Sequence, residues 1–193
     1  MDNKYYRKYP VQITLKSPLN ISMGGERGMS AVVKMDKTPF IPASTIKGKL
    51  KANFSRITGY PIHIGTDPEQ MCPCPVCGIF GGGGYQPSRI FVQSFFPVAG
   101  NEKIHEAKLG ARTGIAVDRY LKTANDGSLF RTEVVEAGAV FAGSIEVYFT
   151  ESTIEYEDRL IMALEMVEAL GGGKSRGLGA VKVEVGQLAE GRA

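Results

Sequence analysis

The sequence is poor in cysteine and histidine and has no long apolar run. Three Cys and two His stand among 193 residues. Three closely spaced Cys are too few for a disulfide scaffold. No stretch reaches the roughly 18 consecutive apolar residues that a transmembrane helix requires, and the first ten residues lack an apolar signal-peptide segment. We therefore expect a cytoplasmic protein that contacts no membrane.

Acidic residues are scarce in the first third of the chain. Residues 1–60 contain eleven basic and three acidic residues, a net charge of +8. Residues 61–193 contain twelve basic and seventeen acidic residues, a net charge of −5, so the whole chain carries +3. This asymmetry favours a first third that binds a polyanion, and the alternative is a solvated basic face without a partner.

The order of predicted elements favours a single α+β domain over residues 1–193. Alternating apolar and polar residues, or runs of β-branched and aromatic residues, predict strands over 9–15, 90–96, 140–149 and 180–185. Helical spacing predicts one helix with Ser44 as its N-cap and Gly59 at its end. A second helix begins at a capping box over 152–155 and stops at Gly171. This order is typical of a ferredoxin-like core, with insertions over 60–88 and 100–136.

The insertion over 60–88 contains a tight cysteine cluster. Cys72, Cys74 and Cys77 lie within six residues, and three thiolates at this spacing can share one tetrahedral zinc ion. His63 is the first choice for the fourth ligand and His105 the second. Because the insertion has few helix or strand signals, we expect a structural zinc that supplies its folding energy. The alternative is three ordinary reduced thiols in a loop.

A glycine-rich segment over 171–179 follows the second predicted helix. Its Gly-Lys-Ser sequence is not a P-loop, because Glu168 occupies the position of the required earlier glycine and the order is helix then strand. Exposed backbone amides together with Lys174 and Arg176 favour contact with phosphate groups of a nucleic-acid backbone. The alternative is a flexible turn between helix and strand.

The start of the first predicted helix is a second candidate for anion binding. Ser44 and Thr45 stand at this N-terminus, where backbone N–H groups are free to bind an anion, and Lys47 and Lys49 add positive charge. The alternative is an ordinary capped helix with solvated lysines.

Four segments of the chain together carry a family resemblance. They are residues 39–48 (PFIPASTIKG), 74–81 (CPVCGIFG), 114–119 (GIAVDR) with 129–130 and 133–135, and the glycine-rich segment 171–179. In this order they resemble the RAMP superfamily, specifically the crRNA-binding backbone subunits of type III CRISPR effector complexes.

The resemblance implies a modified ferredoxin-like (RRM-like) core that assembles into a filament along crRNA with other effector subunits. It also implies a zinc-binding lid over 60–88 and a thumb-like hairpin over 100–136 that kinks the duplex of crRNA and complementary target. The residues expected to contact RNA are Ser44, Thr45, Lys47, Lys49, Lys51, Arg112, Arg119, Lys174, Ser175 and Arg176.

The resemblance also bears on catalysis. Active members carry an Asp in the loop after the first strand, which cleaves target RNA with a divalent metal. Here Glu26 is the only carboxylate over 22–34, and Asp36 follows later. We expect an RNA-binding subunit that is not catalytic by itself. Two alternatives remain: a Mg²⁺-dependent endoribonuclease subunit using Glu26 or Asp36, and a zinc-stabilised binding module unrelated to CRISPR.

Overall fold

The computed structural model describes residues 4–22, 29–63, 72–83, 86–98 and 107–186. Ten strands are found in these ranges: β1 Tyr6–Leu15, β2 Met29–Ser30, β3 Lys34–Met35, β4 Thr38–Pro39, β5 Ile90–Val92, β6 Phe96–Pro97, β7 Leu109–Val117, β8 Ala124–Val135, β9 Val140–Tyr148 and β10 Val181–Val185. Three α-helices accompany them: α1 Ala43–Thr58, α2 Pro75–Phe80 and α3 Glu157–Glu165. Single 3₁₀ turns occupy Ile154–Tyr156 and Lys174–Arg176.

The main sheet has the strand order β10-β1-β9-β5, and β6 also pairs with β9. All of these pairs are antiparallel. In β1 the residues Val11, Ile13 and Leu15 are buried while Gln12 between them is exposed, as the period of two requires. Their buried face joins the core that includes the apolar residues of α1 and α3. The predicted α+β class is confirmed.

The helix α1 begins earlier than predicted. Ile46, Leu50 and Phe54 recur every fourth residue and are fully buried, so they fix the face that packs on the sheet. Pro42 is the N-cap residue and no side chain caps the helix, so the prediction of Ser44 as N-cap is wrong. The Pro42 carbonyl already accepts the first bond of the helix, from Thr45 N–H at 3.0 Å. Among the described residues no helix is long and apolar enough to cross a membrane.

The predicted left-handed end of α1 is confirmed. Gly59 has a φ of 76° and donates its N–H to the carbonyl of Ser55 at 2.9 Å. A residue without a Cβ adopts this conformation at little cost, which is why glycine ends helices in this way.

The second predicted helix is shorter than the sequence suggested. The expected capping box does not form: the Thr150 N–H donates to the Thr153 hydroxyl at 2.8 Å, and the 3₁₀ turn leads into α3. The helix stops at Glu165 rather than Gly171. Beyond it the backbone pairs with the glycine-rich segment and with the last strand. Leu170 N–H donates to Gly179 O at 2.9 Å, and Val181 N–H donates to Glu168 O at 2.9 Å. These bonds satisfy backbone groups that a longer helix would have paired internally.

The two predicted insertions contain more regular structure than expected. Residues 60–88 include α2, and residues 100–136 include the long antiparallel hairpin of β7 and β8. β2 joins β8 in parallel to complete a second sheet of three strands. The strand predicted over 90–96 is divided into β5 and β6.

Candidate metal centre and cationic site

Four donor side chains converge beside α2. The donor atoms of His63, Cys72, Cys74 and Cys77 all lie within 4.8 Å of one another. His63 Nδ1 is 3.2 Å from Cys72 Sγ, 3.8 Å from Cys74 Sγ and 3.5 Å from Cys77 Sγ. A tetrahedral zinc with Zn–S of about 2.3 Å and Zn–N of about 2.0 Å places nitrogen and sulfur about 3.6 Å apart. The four residues could therefore hold a metal such as zinc.

The local backbone positions these thiols. Cys74 is the N-cap residue of α2, and its Sγ accepts the N–H of Cys77 at 3.3 Å. Pro75 stands at the first helical position, where its missing N–H costs nothing. The Gln86 side chain accepts the Cys72 N–H at 3.2 Å and donates to the Cys72 carbonyl at 3.0 Å. The cysteines are thus held by a helix start on one side and by Gln86 on the other.

Burial determines the protonation of the thiols. Cys77 is almost completely buried, and this burial together with its bond to Cys74 raises its pKa to about 12. The Cys74 N–H, by contrast, lowers the pKa of Cys72. A buried thiol with a raised pKa becomes a thiolate at neutral pH only when a cation is close to it, which is the condition that zinc provides.

The helix α2 connects this cluster to the core of the domain. Val76 and Ile79 are buried in the same cluster of apolar residues as the main sheet. The rings of Phe80 and Phe54 lie 5.6 Å apart between centroids, which joins α2 to α1. The four donors therefore lie next to the core of the domain.

Two lysines from distant parts of the chain meet at the glycine-rich segment. Lys174 of this segment lies near Lys49 of α1 and lowers the pKa of Lys49, and partial burial adds to this effect. Arg56, further along α1, contributes in the same direction. Among the described residues, neither lysine forms an ion pair with a carboxylate. Two like charges held together without a counterion favour binding of an anion.

The glycine-rich segment is held by backbone hydrogen bonds. Gly172 N–H donates to Asn20 O at 2.9 Å, and Gly179 N–H donates to Pro18 O at 2.8 Å. Gly179 has a φ of 77°, and a Cβ at this position would collide with the carbonyl oxygen of Leu170. The segment is therefore a defined loop that presents Lys174 in one place.

The other residues predicted at the start of α1 differ in their surroundings. Ser44 is exposed, and Thr45 and Lys51 are half-buried. Lys47 Nζ donates to Ser88 Oγ at 2.7 Å and to Ile90 O at 3.3 Å, and burial lowers its pKa. Its ammonium thus attaches α1 to the start of β5, while Lys49 faces the glycine-rich loop.

The remaining predicted contacts lie on two elements. Ser175 and Arg176 are exposed beside Lys174 in the same 3₁₀ turn. Arg112 is exposed in β7 and Arg119 is exposed in the turn that follows it. The two hairpin arginines are therefore carried by a different element from the lysine pair.

The candidates for metal-dependent catalysis are not brought together in the described residues. Glu26 lies outside those ranges, as does His105, the second choice for the fourth zinc ligand. Asp36 is exposed at the turn between β3 and β4, with a φ of 48°. In the described part of the chain, the cysteine and histidine cluster is the only group of three or more His, Cys, Asp or Glu side chains that could hold a metal ion. The expectation of Mg²⁺ therefore has no support.

Two residues that position these sites, and one exposed aromatic residue, were not predicted from the sequence. Gln86 holds Cys72, and Asn20 links the glycine-rich loop to β8 through its side-chain bond to Glu133 O at 2.7 Å. Tyr148 belongs to a group of exposed aromatic rings on the main sheet. No local pattern identifies them, because each role depends on a partner that is distant in sequence.

Comparison with known proteins gives one family. A sequence model of the RAMP superfamily matches residues 12–182. The search of curated proteins found no match. The matched range runs from β1 into β10, so it contains the metal cluster, the hairpin and the glycine-rich loop.

Proposed function

The chain belongs to the RAMP superfamily, and from this premise we propose that it is an RNA-binding backbone subunit of a CRISPR effector ribonucleoprotein. A CRISPR-associated role in RNA binding is general to the superfamily. The finer proposal is that the subunit holds crRNA phosphates and shapes the duplex between crRNA and its target. Its partners are then RNA, other effector subunits and further copies of itself in a filament.

The observation that carries the proposal is the meeting of Lys49 and Lys174. Lys174 belongs to a segment that resembles the family and Lys49 directly follows another, and the pair has no carboxylate partner among the described residues. A phosphate between two ammonium groups relieves their repulsion and forms charge-assisted hydrogen bonds to both.

The order of the main sheet supports a ferredoxin-like core. β1 leads through α1 to β5, β9 follows in antiparallel pairing with both β1 and β5, and α3 leads to β10. The resulting order β10-β1-β9-β5 is the one expected when two strand-helix-strand units interleave in one antiparallel sheet. Within this core, residues 60–88 and 100–136 would act as a zinc-binding lid and a thumb.

The hairpin of β7 and β8 supports the thumb role. Tyr120 is 97% exposed and Leu121 is 74% exposed in the turn at its end. Asp118 Oδ1 accepts the N–H of Tyr120 at 2.7 Å and that of Leu121 at 2.9 Å, so this turn has a defined shape. Apolar side chains at the end of a rigid hairpin are suited to insertion between stacked bases.

The test is RNA binding by the full chain with Lys49→Ala and Lys174→Ala combined. A fluorescent single-stranded RNA is titrated at several salt concentrations, and its anisotropy gives the Kd. We expect the double variant to bind roughly ten- to a hundredfold more weakly than the unsubstituted protein, and to lose about one unit of the slope of log K against log salt. The loss follows from removing both cations around one phosphate.

Lys182→Ala is the matched control for charge. Lys182 is exposed on β10, where it pairs with Glu184 at 2.7 Å, and its removal takes away one positive charge elsewhere on the domain. We expect this variant to bind RNA within about twofold of the unsubstituted protein. Equal losses in the control and the double variant would reject a specific phosphate site at the lysine pair.

A further inference from the structure

Three aromatic side chains lie on the face of the main sheet opposite the helices. Tyr6 in β1 is directly opposite Tyr148 in β9, and their ring centroids are 5.0 Å apart. The ring of Phe91 in β5 meets that of Tyr148 edge-on, with 5.8 Å between centroids. We call Tyr6, Phe91 and Tyr148 the aromatic shelf. It is continuous across three neighbouring strands.

Core packing does not account for the aromatic shelf. Phe91 is 56% exposed and Tyr148 is 38% exposed, while their neighbours Ile90 and Val147 are buried on the helix side of the sheet. The buried neighbours supply the core contact of these strands, so the rings are free to contact a ligand. Adjoining exposed aromatic rings favour a binding surface over a structural role.

One cavity borders the shelf, and a second lies on the other side of Arg89. The first, of about 570 Å³, is lined by Pro87, Ser88, Arg89, Phe91, Glu146 and Tyr148. The second, of about 210 Å³, shares Pro87 and Arg89 with it and is also lined by Thr150, Ser152 and Thr153. Arg89 thus stands between an aromatic surface and a polar hollow, as a ligand with a flat ring and an anionic group requires.

The guanidinium of Arg89 is available to such a ligand. Its backbone is fixed on both sides, since Arg89 N–H donates to Ile79 O at 3.0 Å and Tyr148 N–H donates to Arg89 O at 2.9 Å. The side chain is exposed and forms no ion pair within the described residues. The nearby Lys8 and Glu146 neutralise each other at 2.9 Å. The net charge beside the shelf is therefore positive.

We propose that the aromatic shelf is a second RNA-binding surface, which stacks bases of single-stranded RNA on Phe91 and Tyr148 while Arg89 holds an adjacent phosphate. Exposed rings on a sheet are suited to unpaired bases, because each base has a flat face whatever its sequence. The inference rests on the proposed role in RNA binding, but it uses the face of the sheet opposite α1. A strand held here is separate from the one at Lys49 and Lys174.

The test combines variants of the full chain with photocrosslinking of the unsubstituted protein. The probe is a fluorescent ten-nucleotide oligouridine. We expect Phe91→Ala and Tyr148→Ala each to weaken binding by about five- to a hundredfold without changing the salt slope, because stacking releases no counterions. Arg89→Gln should weaken binding and reduce that slope by about one unit. Ultraviolet crosslinks should map to Phe91 or Tyr148 by mass spectrometry.

Met162→Ala is the matched control, since Met162 is an exposed apolar side chain on α3. Thermal melting checks that each variant is folded. The proposal is overturned if the shelf variants bind as the control does and no crosslink reaches these rings. Loss of binding to another protein subunit with unchanged RNA affinity would equally overturn it. In either case the proposed function would still stand if the Lys49 and Lys174 double variant binds RNA weakly. If the unsubstituted protein does not bind RNA at all, the proposed function and the role of the aromatic shelf are both rejected.

Discussion

The cysteine and histidine cluster is suited to a cation, whereas the lysine pair is suited to an anion. In the first, three thiols and an imidazole converge within 4.8 Å at a largely buried position beside α2. In the second, two ammonium groups converge at the edge of α1, and Lys174 is exposed. Neither site has an ion-pair partner of opposite charge among the described residues.

The difference between them indicates the ligand and its role. Thiolates at this partly buried position require a cation beside them, so a metal bound by them would be a permanent part of the fold. A partly exposed pair of ammonium groups is compensated by water until an anion arrives, so its ligand can come and go. In the proposed function, the first site stabilises the domain by holding a metal, and the second binds RNA.

Removing a thiol should have the largest effect on stability. Cys77→Ser deletes a donor that is buried in the core and leaves the other thiolates around an incompletely bound metal. We expect loss of about one equivalent of zinc and a fall of more than roughly 3 kcal/mol in the free energy of unfolding. Metal analysis of protein purified without added zinc, followed by denaturant unfolding, checks this.

Gln86→Ala provides the comparison for that experiment. It removes the support of Cys72 but keeps all four donors, so we expect nearly full zinc content and a smaller loss, about 1–2 kcal/mol. A Cys77→Ser protein that keeps its zinc and its stability would show that the cluster is not the metal site.

A change in the glycine-rich loop should have the next largest effect. Gly179→Ala forces a left-handed residue to carry a Cβ that collides with the Leu170 carbonyl, and we expect a loss of roughly 3 kcal/mol in the free energy of unfolding. Gly177 has a similar φ of 81° with nothing near its Cβ position, so Gly177→Ala should cost only about 1 kcal/mol.

Denaturant unfolding of the two alanine variants measures the cost of the collision directly. Because the loop carries Lys174, Gly179→Ala should also weaken RNA binding more than Gly177→Ala does. Equal stability of the two variants would mean that the loop is not held against the core in the way described.

The smallest effect is expected where opposite charges already satisfy each other. Lys34 Nζ lies 2.7 Å from Glu133 Oε1, and the Val32 N–H donates to Glu133 Oε2 at 3.0 Å. The bond from Lys34 lowers the pKa of Glu133 below its usual range. The pair therefore contributes stability above about pH 4.5, and that contribution is lost as the pH falls through the lower pKa of the folded state.

Glu133→Gln should remove this part of the pH dependence and cost about 1 kcal/mol at pH 7. Unfolding curves measured between about pH 3 and pH 7 compare the variant with the unsubstituted protein. A difference between the two that stays constant over this range would show that the ion pair contributes nothing to stability.

The sequence predicted those features that depend on local spacing. The alternation over β1, the apolar stripe of α1 and its end at Gly59 need only a few neighbouring residues, and all are present. The ligand group His63, Cys72, Cys74 and Cys77 also spans one short segment. The prediction of this ligand group therefore required no contact with a distant part of the chain.

Features that depend on distant partners were not predictable in the same way. The first bond of α1 forms at Pro42, and α3 stops at Glu165, after which Leu170 bonds to Gly179. Lys47 and Lys49 are equivalent by pattern, but the fold directs one toward Ser88 and Ile90 and the other toward Lys174. A pattern of charges states how many cations are present and not which of them face each other.

A double-mutant cycle on Lys49 and Lys174 tests the central claim most directly. RNA affinity is measured for Lys49→Ala, Lys174→Ala, the double variant and the unsubstituted protein. If both ammonium groups hold one phosphate, the loss in the double variant should be roughly threefold or more smaller than the product of the two single losses. Losses that multiply would place the lysines on separate phosphates, and a double variant with unchanged affinity and salt slope would contradict the phosphate site altogether.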